Sequence, residues 1–174
     1  KISMGLANIA QGLQKCLFMG NLDAKRDWGH ARDYVKMQWL MLQQDSPEDY
    51  VISSGVHSSV RDFISLTAKN LGVSLEFEGE GVEEIGVVSS VSGDKAPFIE
   101  EGMVVIRVNP RYFRPAEVEE LLGDSRKAKE ELGWETEISL EQLCEEMVES
   151  DLAEAKKNRV LVEHGHEINI TQED

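Results

Sequence analysis

The segment from Met103 to Ala116 contains no Asp or Glu, although the whole chain has a formal net charge of -15. Three arginines, Arg107, Arg111 and Arg114, fall within it. An arginine guanidinium is a planar fork of donors that fits a phosphate through two parallel hydrogen bonds. Glu117 follows Arg114 by three residues, and its carboxylate can accept hydrogen bonds from nearby hydroxyl groups. The cluster predicts a site for a nucleoside diphosphate, although any single arginine is more often a solvated surface charge.

A second basic segment covers residues 20–30, which are polar and include a glycine near each end. This composition predicts a loop that leads directly into a helix. Asp27 or His30 is placed to favour the start of that helix, which leaves Lys25 and Arg26 facing outward. Two basic loops could clamp one pyrophosphate, with each charge-assisted hydrogen bond contributing about 1.5–3 kcal/mol when partly desolvated.

Length and composition set limits on the class of protein. The chain has 174 residues, of which 41% are hydrophobic, and this predicts one globular unit with a sizeable core. Its 33 acidic and 18 basic residues argue against a nucleic acid or an anionic membrane as partner. No apolar run is long enough to span a bilayer, and no secretory signal follows Lys1. Cys16 and Cys144 lie far apart and outside any CxxC spacing, which fits a reducing cytosol.

The apolar pattern predicts alternating helices and short strands. The predicted helices cover residues 2–13, 31–44, 59–71, 124–132 and 139–157, and the predicted strands cover residues 16–19, 50–53, 73–77 and 103–108. Residues 78–95 are rich in Gly, Ser and acidic residues, and they predict an excursion of loops and short strands. The first helix is expected to be amphipathic.

Several side chains carry more specific expectations. Ser59 with Asp62, and Ser139 with Gln142, have the spacing of capping boxes. On the second helix the residues expected to pack in the core are Tyr34, Val35, Trp39 and Leu42.

The last residues, 158–174, lose the apolar pattern and are expected to form a mobile tail. His164 and His166 lie in this tail with no further ligand nearby, so no metal site is predicted.

The sequence contains no complete set of catalytic residues. There is no GxGxxG turn, P-loop, HExxH or GxSxG. Tyr34 is followed four residues later by Gln38, and neither Tyr50 nor Tyr112 has a lysine at that spacing, so the Tyr-x-x-x-Lys pair of dehydrogenases is absent. The chain is therefore expected to bind without performing chemistry, and no catalytic residue is predicted.

Several long motifs resemble the bacterial type of GDP-mannose 4,6-dehydratase in order and spacing. They are Asn-Leu-Asp-Ala-Lys-Arg-Asp-Trp-Gly-His-Ala-Arg-Asp-Tyr-Val at residues 21–35, Tyr-Phe-Arg-Pro-Ala-Glu-Val at 112–118, Leu-Gly-Asp at 122–124, Lys-Ala at 127–128 and Leu-Gly-Trp at 132–134. The resemblance covers essentially the whole chain, starting at Lys1. Family members are considerably longer, so the chain resembles a C-terminal fragment whose N-terminal half is absent.

The resemblance implies an α/β fold of the extended short-chain dehydrogenase/reductase class. In that fold an N-terminal Rossmann domain binds NADP and a smaller α/β domain binds the nucleotide sugar. The chain would supply the smaller domain together with pieces of the Rossmann sheet at about residues 30–56, including a strand at 50–53. A cytoplasmic homo-oligomer, a dimer or a tetramer, is also implied.

The implied reaction converts GDP-mannose to GDP-4-keto-6-deoxymannose. The cofactor oxidises C4, water is eliminated across C5 and C6, and the hydride returns to C6. The resemblance implies that this product is a precursor of GDP-deoxyhexoses such as GDP-fucose, which are used to make lipopolysaccharide and other surface polysaccharides. Because the family's catalytic Thr or Ser, Glu, Tyr and Lys belong to the other half, the chain alone is expected to be inactive.

The resemblance also assigns binding roles to individual residues. Arg26 and Arg114 match the two arginines that contact the diphosphate, and Glu117 matches the acid that holds the ribose hydroxyls. Asn21 and Lys25 lie in the loop expected near the guanine and the diphosphate, and Lys1 would border the nucleotide pocket.

Two alternatives remain open. The chain could be a noncatalytic protein that binds GDP-sugars or associates with intact dehydratase subunits. It could also belong to a related GDP-sugar epimerase or reductase, although the Asp-Trp-Gly-His and Arg-Pro-Ala-Glu motifs favour the dehydratase.

Overall fold

The computed structural model describes residues 1–113 and 122–169. Within these ranges the chain forms five α-helices, six β-strands and a 3₁₀ turn at Gly81–Glu83. The helices are α1 (Ile2–Ala10), α2 (Ala31–Leu42), α3 (Val60–Asn70), α4 (Arg126–Leu132) and α5 (Leu140–Glu163). The strands are β1 (Leu17–Met19), β2 (Lys25–Asp27), β3 (His57–Ser59), β4 (Val73–Glu78), β5 (Ile85–Val91) and β6 (Val104–Val108). In these ranges no helix is both long and apolar enough to cross a membrane.

The main sheet is mixed, with strand order β1-β6-β5-β4. β1 and β6 run parallel, with Phe18 opposite Arg107, and the other two pairs are antiparallel. The sequence predicted only loops and short strands for residues 78–95, but β5 lies there as an inner strand of this sheet. Because β5 alternates buried and partly exposed residues only from Ile85 to Val88, its short periodic stretch is hard to recognise among Gly and Ser.

A second, two-stranded ladder joins β2 to β3, with Arg26 opposite Ser58. The prediction that residues 20–30 form only a loop is therefore wrong for β2. Three polar residues are too few to show an alternating pattern, so only the partner strand reveals the extended conformation.

The main core lies between the sheet and helices α1, α3 and α5. α1 is almost wholly buried, and even its polar residues Ser3 and Asn8 are less than a tenth exposed. The prediction of an amphipathic helix is wrong here, because α1 packs against both α3 and α5. A helix covered on several sides carries no polar face.

Both predicted capping boxes are present. In α3 the Ser59 Oγ accepts from the Asp62 amide at 3.0 Å, and the Asp62 carboxylate accepts from the Ser59 amide at 2.9 Å. Ser139 and Gln142 make the equivalent pair at the start of α5. These local interactions satisfy backbone donors that the first helical turn leaves unpaired.

The prediction of a mobile tail from residue 158 is wrong for residues 158–163, because α5 continues to Glu163. Arg159 explains the extension. Its Nε donates to Glu163 at 2.8 Å, and its guanidinium lies 4.5 Å from the centre of the Phe98 ring. An i, i+4 ion pair and a cation–π contact therefore stabilise the last turns.

Of the four residues of α2 expected in the core, Tyr34 packs beside Trp134 as predicted, but the prediction is wrong for the other three. Val35, Trp39 and Leu42 are 60%, 59% and 82% exposed, whereas Met37 is fully buried. α2 carries apolar residues on two opposite faces, and a pattern alone does not say which face this core covers.

The predicted strand at residues 50–53 does not form, because this segment pairs with no described strand. Tyr50 and Ile52 pack instead on the second hydrophobic cluster, which centres on Met37, Ala128 and Trp134. The assignment of residues 30–56 to a Rossmann sheet stays a prediction.

Candidate functional site

Two loops meet at one edge of the main sheet. β1 and β6 are parallel neighbours, so their carboxyl ends lie side by side. The Asn109 amide donates to the Met19 carbonyl at 2.9 Å, which continues the ladder beyond both strands. Residues 20–24, after β1, are therefore held next to residues 109–113, after β6.

Gly20 allows the two loops to approach each other closely. A Cβ atom at this position would lie 2.4 Å from the carbonyl oxygen of Tyr112, which is closer than nonbonded atoms can come. The absence of a side chain at residue 20 therefore sets the shape of this edge.

The turn after β6 is organised by Asn109. Its side-chain Oδ1 accepts from the Arg111 amide at 2.9 Å, and its carbonyl accepts from the Tyr112 amide at 2.9 Å. Such an Asx turn reverses the chain directly after the strand. Arg111 and Tyr112 are thereby placed at the sheet edge, facing the loop that contains Asn21.

The loop after β1 is fixed to the start of α3. Asn21 Oδ1 accepts from the Asp23 amide at 2.9 Å, and the Arg61 amide donates to the Leu22 carbonyl at 2.8 Å. The Arg61 guanidinium forms ion pairs with Asp23, at 2.7 Å, and with Glu84. Because the Glu84 side chain is only 8% exposed, Arg61 compensates a nearly buried charge while it anchors the loop.

Arg26 reaches this region from β2. Its Nη1 donates to the Lys25 carbonyl at 2.7 Å, and its backbone lies opposite Ser58 of β3. Successive side chains of a strand point to opposite faces, so Arg26 and Lys25 project in different directions. Only Arg26 of this pair lines the cavity described next.

The loops and β2 border an open cavity of about 410 Å³. Its described lining residues include three cations, Lys1, Arg26 and Arg111, and no acidic residue. The remaining lining residues are Met19, Gly20, Asn21, Ala24, Val60 and Tyr112. In a chain of net charge -15, such a concentration of positive charge predicts an anionic ligand.

Tyr112 packs against two of these cations. The Lys1 Nζ lies 4.3 Å from the centre of its ring, and the Arg111 Cζ lies 5.9 Å from it. Cation–π contacts of this kind hold positive side chains near an aromatic ring. The cavity therefore presents cationic groups beside an aromatic face and the amide of Asn21.

Two other cavities are less suited to an anion. A cavity of about 360 Å³ next to Trp28 is lined by Glu137 and Glu141 at the start of α5. A third, of about 240 Å³, is lined by Arg126 and Lys129. These two cations already form ion pairs at 2.5 Å with Asp124 and at 2.6 Å with Glu135, respectively.

The structure brings together three of the six residues predicted to bind substrate, namely Lys1, Asn21 and Arg26. Lys25 lies outside the lining, and Arg114 and Glu117 fall outside the described residues. Whether any of the six binds a ligand stays a prediction.

The arginines of the acid-free segment are separated by the fold. Arg107 lies on β6 and is exposed, whereas Arg111 lies beyond the strand end and lines the cavity. The family motifs did not assign a binding role to Arg111, although the acid-free segment that contains it predicted an anion site. Nothing in the sequence pointed to Val60, because its position depends on the contact between α3 and the loop after β1.

Metal binding finds no support in residues 1–113 and 122–169, where no group of three or more His, Cys, Asp or Glu could hold an ion. The imidazole Nδ1 of His164 lies 2.8 Å from the Val160 carbonyl, one helical turn before it.

Comparison with known proteins identifies the family. Residues 1–147 match the family model described as GDP-mannose 4,6 dehydratase. The chain belongs to the GDP-mannose 4,6-dehydratase family. It is 60% identical over 173 residues to the GDP-mannose 4,6-dehydratase of Vibrio cholerae, and 53% identical over 173 residues to that of Yersinia enterocolitica. The human enzyme is 42% identical over 158 residues.

The chain spans less than half the length of these family members. The Vibrio cholerae alignment covers 99% of this chain but 46% of the relative, and the human alignment covers 91% and 40%. The family's motifs thus account for nearly all of this chain, whereas more than half of each relative has no counterpart in it.

Solved structures agree on the fold. RMD from Pseudomonas aeruginosa, complexed with NADPH, superposes with a TM-score of 0.63 at 21% identity, over 88% of this chain and 41% of that one. The dTDP-glucose 4,6-dehydratase of Bacillus anthracis, in complex with NAD, gives a TM-score of 0.59 at 18% identity, over 91% and 40%. The chain has the α/β fold of the extended short-chain dehydrogenase/reductase enzymes.

The described residues do not fit a dinucleotide cofactor. A Rossmann site needs a glycine-rich turn between a strand and a helix, where the helix start receives the pyrophosphate. Among the described strands, β3 leads directly into α3 at Ser59 and Val60, with no glycine between them. The turn after β1, at Gly20, leads to β2 and not to a helix. No reaction step through such a cofactor is therefore assigned to residues of this chain.

Proposed function

We propose that this chain forms the GDP-sugar-binding portion of a GDP-mannose 4,6-dehydratase. The observation that carries the proposal is the cavity at the ends of β1 and β6, whose described lining has three cations and no acid. Membership of the dehydratase family supports a GDP-sugar as the anionic ligand.

In this proposal the cavity residues bind and orient the substrate. Arg26 and Arg111 approach from different elements, and each guanidinium can donate two parallel hydrogen bonds to one phosphate group. Lys1 adds a point charge beside Tyr112. Arg114, which follows Phe113 in the sequence, provides the further diphosphate contact that the family motif implies.

The contacts proposed for the guanosine part of the ligand rest on the family motif. Glu117 accepts hydrogen bonds from the ribose hydroxyls, and Asn21, which lines the cavity, lies near the guanine and the diphosphate. Lys25 belongs to the same loop but is not given a contact, because it lies outside the lining. The ribose-binding carboxylate and the phosphate-binding guanidinium of Arg114 are three residues apart, so one short segment would orient both parts of the ligand.

The whole enzyme converts GDP-mannose to GDP-4-keto-6-deoxymannose in this proposal. NADP supplies the hydride acceptor and donor, and it binds to residues outside this chain. The enzyme works in the cytoplasm as a homo-oligomer, with GDP-mannose as its small-molecule partner.

The first test is titration of the 174-residue chain with GDP. Arg26→Ala should raise the dissociation constant for GDP by at least about tenfold, because a charge-assisted contact to phosphate contributes about 1.5–3 kcal/mol. Isothermal titration calorimetry measures the change. GMP, which lacks the second phosphate, should show a smaller effect of the same substitution.

Arg32→Ala is the matched control. Arg32 has the same charge, lies at the start of α2, is 71% exposed and does not line the cavity. It should leave GDP affinity unchanged. Equal GDP affinity of the Arg26→Ala and wild-type proteins, with unchanged circular dichroism, would contradict the assignment.

A further inference from the structure

Tyr112 is the only aromatic residue in the described lining of the cavity at the ends of β1 and β6, which we call the cationic cavity. Its ring contacts cations from two different elements. The Lys1 Nζ lies 4.3 Å from the ring centre, and the Arg111 Cζ lies 5.9 Å from it. Lys1 precedes α1, whereas Arg111 follows β6. Two cations that are far apart in the sequence therefore share one aromatic ring.

The backbone of Tyr112 is held in place by its neighbours. Its amide donates to the Asn109 carbonyl at 2.9 Å, within the turn after β6. Its carbonyl lies against Gly20, where a Cβ atom would come within 2.4 Å of the carbonyl oxygen. The next residue, Phe113, packs against the main core. The Tyr112 ring is therefore a fixed point in the cavity wall, against which longer and more flexible side chains can be held.

Such a contact affects how strongly the two cations can bind an anion. Lysine and arginine side chains lose much rotamer freedom when a ligand orders them, and this loss opposes binding. A side chain that already lies against an aromatic ring has lost part of that freedom before the ligand arrives. The negative face of the ring also offsets the repulsion between two neighbouring cations. The ring should therefore increase the affinity of the cavity for an anion that it does not itself need to contact.

We propose that Tyr112 is a positioning residue for binding of the ligand's diphosphate. Its ring holds Lys1 and Arg111 as one cationic pair before the ligand binds, while Arg26 reaches the same cavity from β2. The phenol hydroxyl has no part in this role, so phenylalanine can replace Tyr112 and an aliphatic residue cannot. The inference rests on the proposed function, because it takes the ligand to be a GDP-sugar.

The test compares variants of the 174-residue chain by calorimetric titration with GDP. Tyr112→Leu removes the ring and should raise the dissociation constant about fivefold, as expected for the loss of cation–π contacts. Tyr112→Phe keeps the ring and should bind GDP as the wild-type chain does. Tyr50→Leu is the matched control, because Tyr50 also contacts a lysine, Lys127 at 4.6 Å from its ring centre, but does not line the cavity. This control should leave GDP affinity unchanged.

A double-mutant cycle separates positioning of the cations from a general effect on the loop. In a Lys1→Gln background, Tyr112→Leu should raise the dissociation constant for GDP only about twofold, because one of the two cations that the ring positions is gone. If Tyr112 only shaped the loop, the two substitutions would act independently, and the full effect of Tyr112→Leu would remain.

Proton NMR detects the contact itself in the chain without ligand. The Lys1 methylene protons next to Nζ should be shifted upfield by the ring current of Tyr112 in the wild-type chain. Tyr112→Phe should keep this shift, and Tyr112→Leu should abolish it. The wild-type measurement does not depend on the folding of any variant, and circular dichroism shows whether the variants keep their secondary structure.

Four results would overturn the proposal. They are wild-type GDP affinity in a folded Tyr112→Leu protein, weakened binding by a folded Tyr112→Phe protein, an undiminished effect of Tyr112→Leu in the Lys1→Gln background, and unshifted Lys1 methylene protons in the wild-type chain. Each of them leaves the proposed function intact as long as the wild-type chain binds GDP. A wild-type chain that binds no GDP would contradict the proposed function as well.

Discussion

At the scale of single residues, Asp33 connects α2 to the segment before α5, although several of its neighbours on α2 are exposed. Its carboxylate is buried, and Oδ2 accepts from the amides of Glu137 and Ile138, each at 3.1 Å. Its carbonyl accepts from the indole Nε1 of Trp134 at 2.9 Å. One residue therefore fixes α2 to the segment that leads into α5.

Asp33→Ala should lower the free energy of unfolding by about 2–4 kcal/mol, because it leaves two partly buried backbone amides without an acceptor. Asp33→Asn keeps one acceptor oxygen and should cost less. Urea denaturation followed by circular dichroism measures both. A loss below about 0.5 kcal/mol for the alanine variant would show that water replaces the carboxylate at no cost.

At the scale of elements, the start of α3 depends on the Ser59–Asp62 capping box. The hydrogen bond from the Ser59 hydroxyl to Asp62, at 2.7 Å, lowers the pKa of the carboxyl, and the Ser59 amide adds to the effect. α3 also carries Arg61, which anchors the loop after β1. The cap therefore supports one wall of the cationic cavity.

Because the pKa of Asp62 is lower in the folded protein, the capping box stabilises the fold at pH values above the ordinary pKa of an aspartate, near 3.9. That contribution should be lost as the pH falls through the folded-state pKa. Ser59→Ala should cost about 1 kcal/mol at pH 7 and weaken this acid dependence. Thermal unfolding of both proteins between pH 2.5 and 7, about the range of carboxyl titration, measures this difference in stability and in its dependence on pH. Ser58→Ala, one residue earlier, is the control, and equal pH profiles for wild type and Ser59→Ala would refute the argument.

At the scale of the whole molecule, we propose that the chain supplies a cavity for the substrate but not the catalytic residues. The sequence lacks a Tyr-x-x-x-Lys pair and a GxGxxG turn, and the described strands supply no glycine-rich turn into a helix. The pure 174-residue chain with added NADP and GDP-mannose should therefore yield no GDP-4-keto-6-deoxymannose. Nucleotide-sugar chromatography with mass detection measures this, and product formed by the pure chain would disprove the proposed division of roles.

Much of the fold could be predicted from the sequence where the determining interactions are local. Both capping boxes, the ends of α3 near Gly72 and of α4 near Gly133, and strands β4 and β6 follow from residues a few positions apart. The family could also be identified from the sequence, because long motifs in a fixed order are independent of burial.

The tertiary structure decided the features that depend on distant neighbours. The pairing of β1 with β6 brings Asn21 next to Arg111, and no local pattern contains that contact. β2 exists because β3 pairs with it, and α1 is buried because two helices cover it. For α2 the sequence specified two apolar faces, and only packing against Trp134 decided which one is buried here. Local chemistry determines where elements begin and end, whereas long-range packing determines what each face contacts.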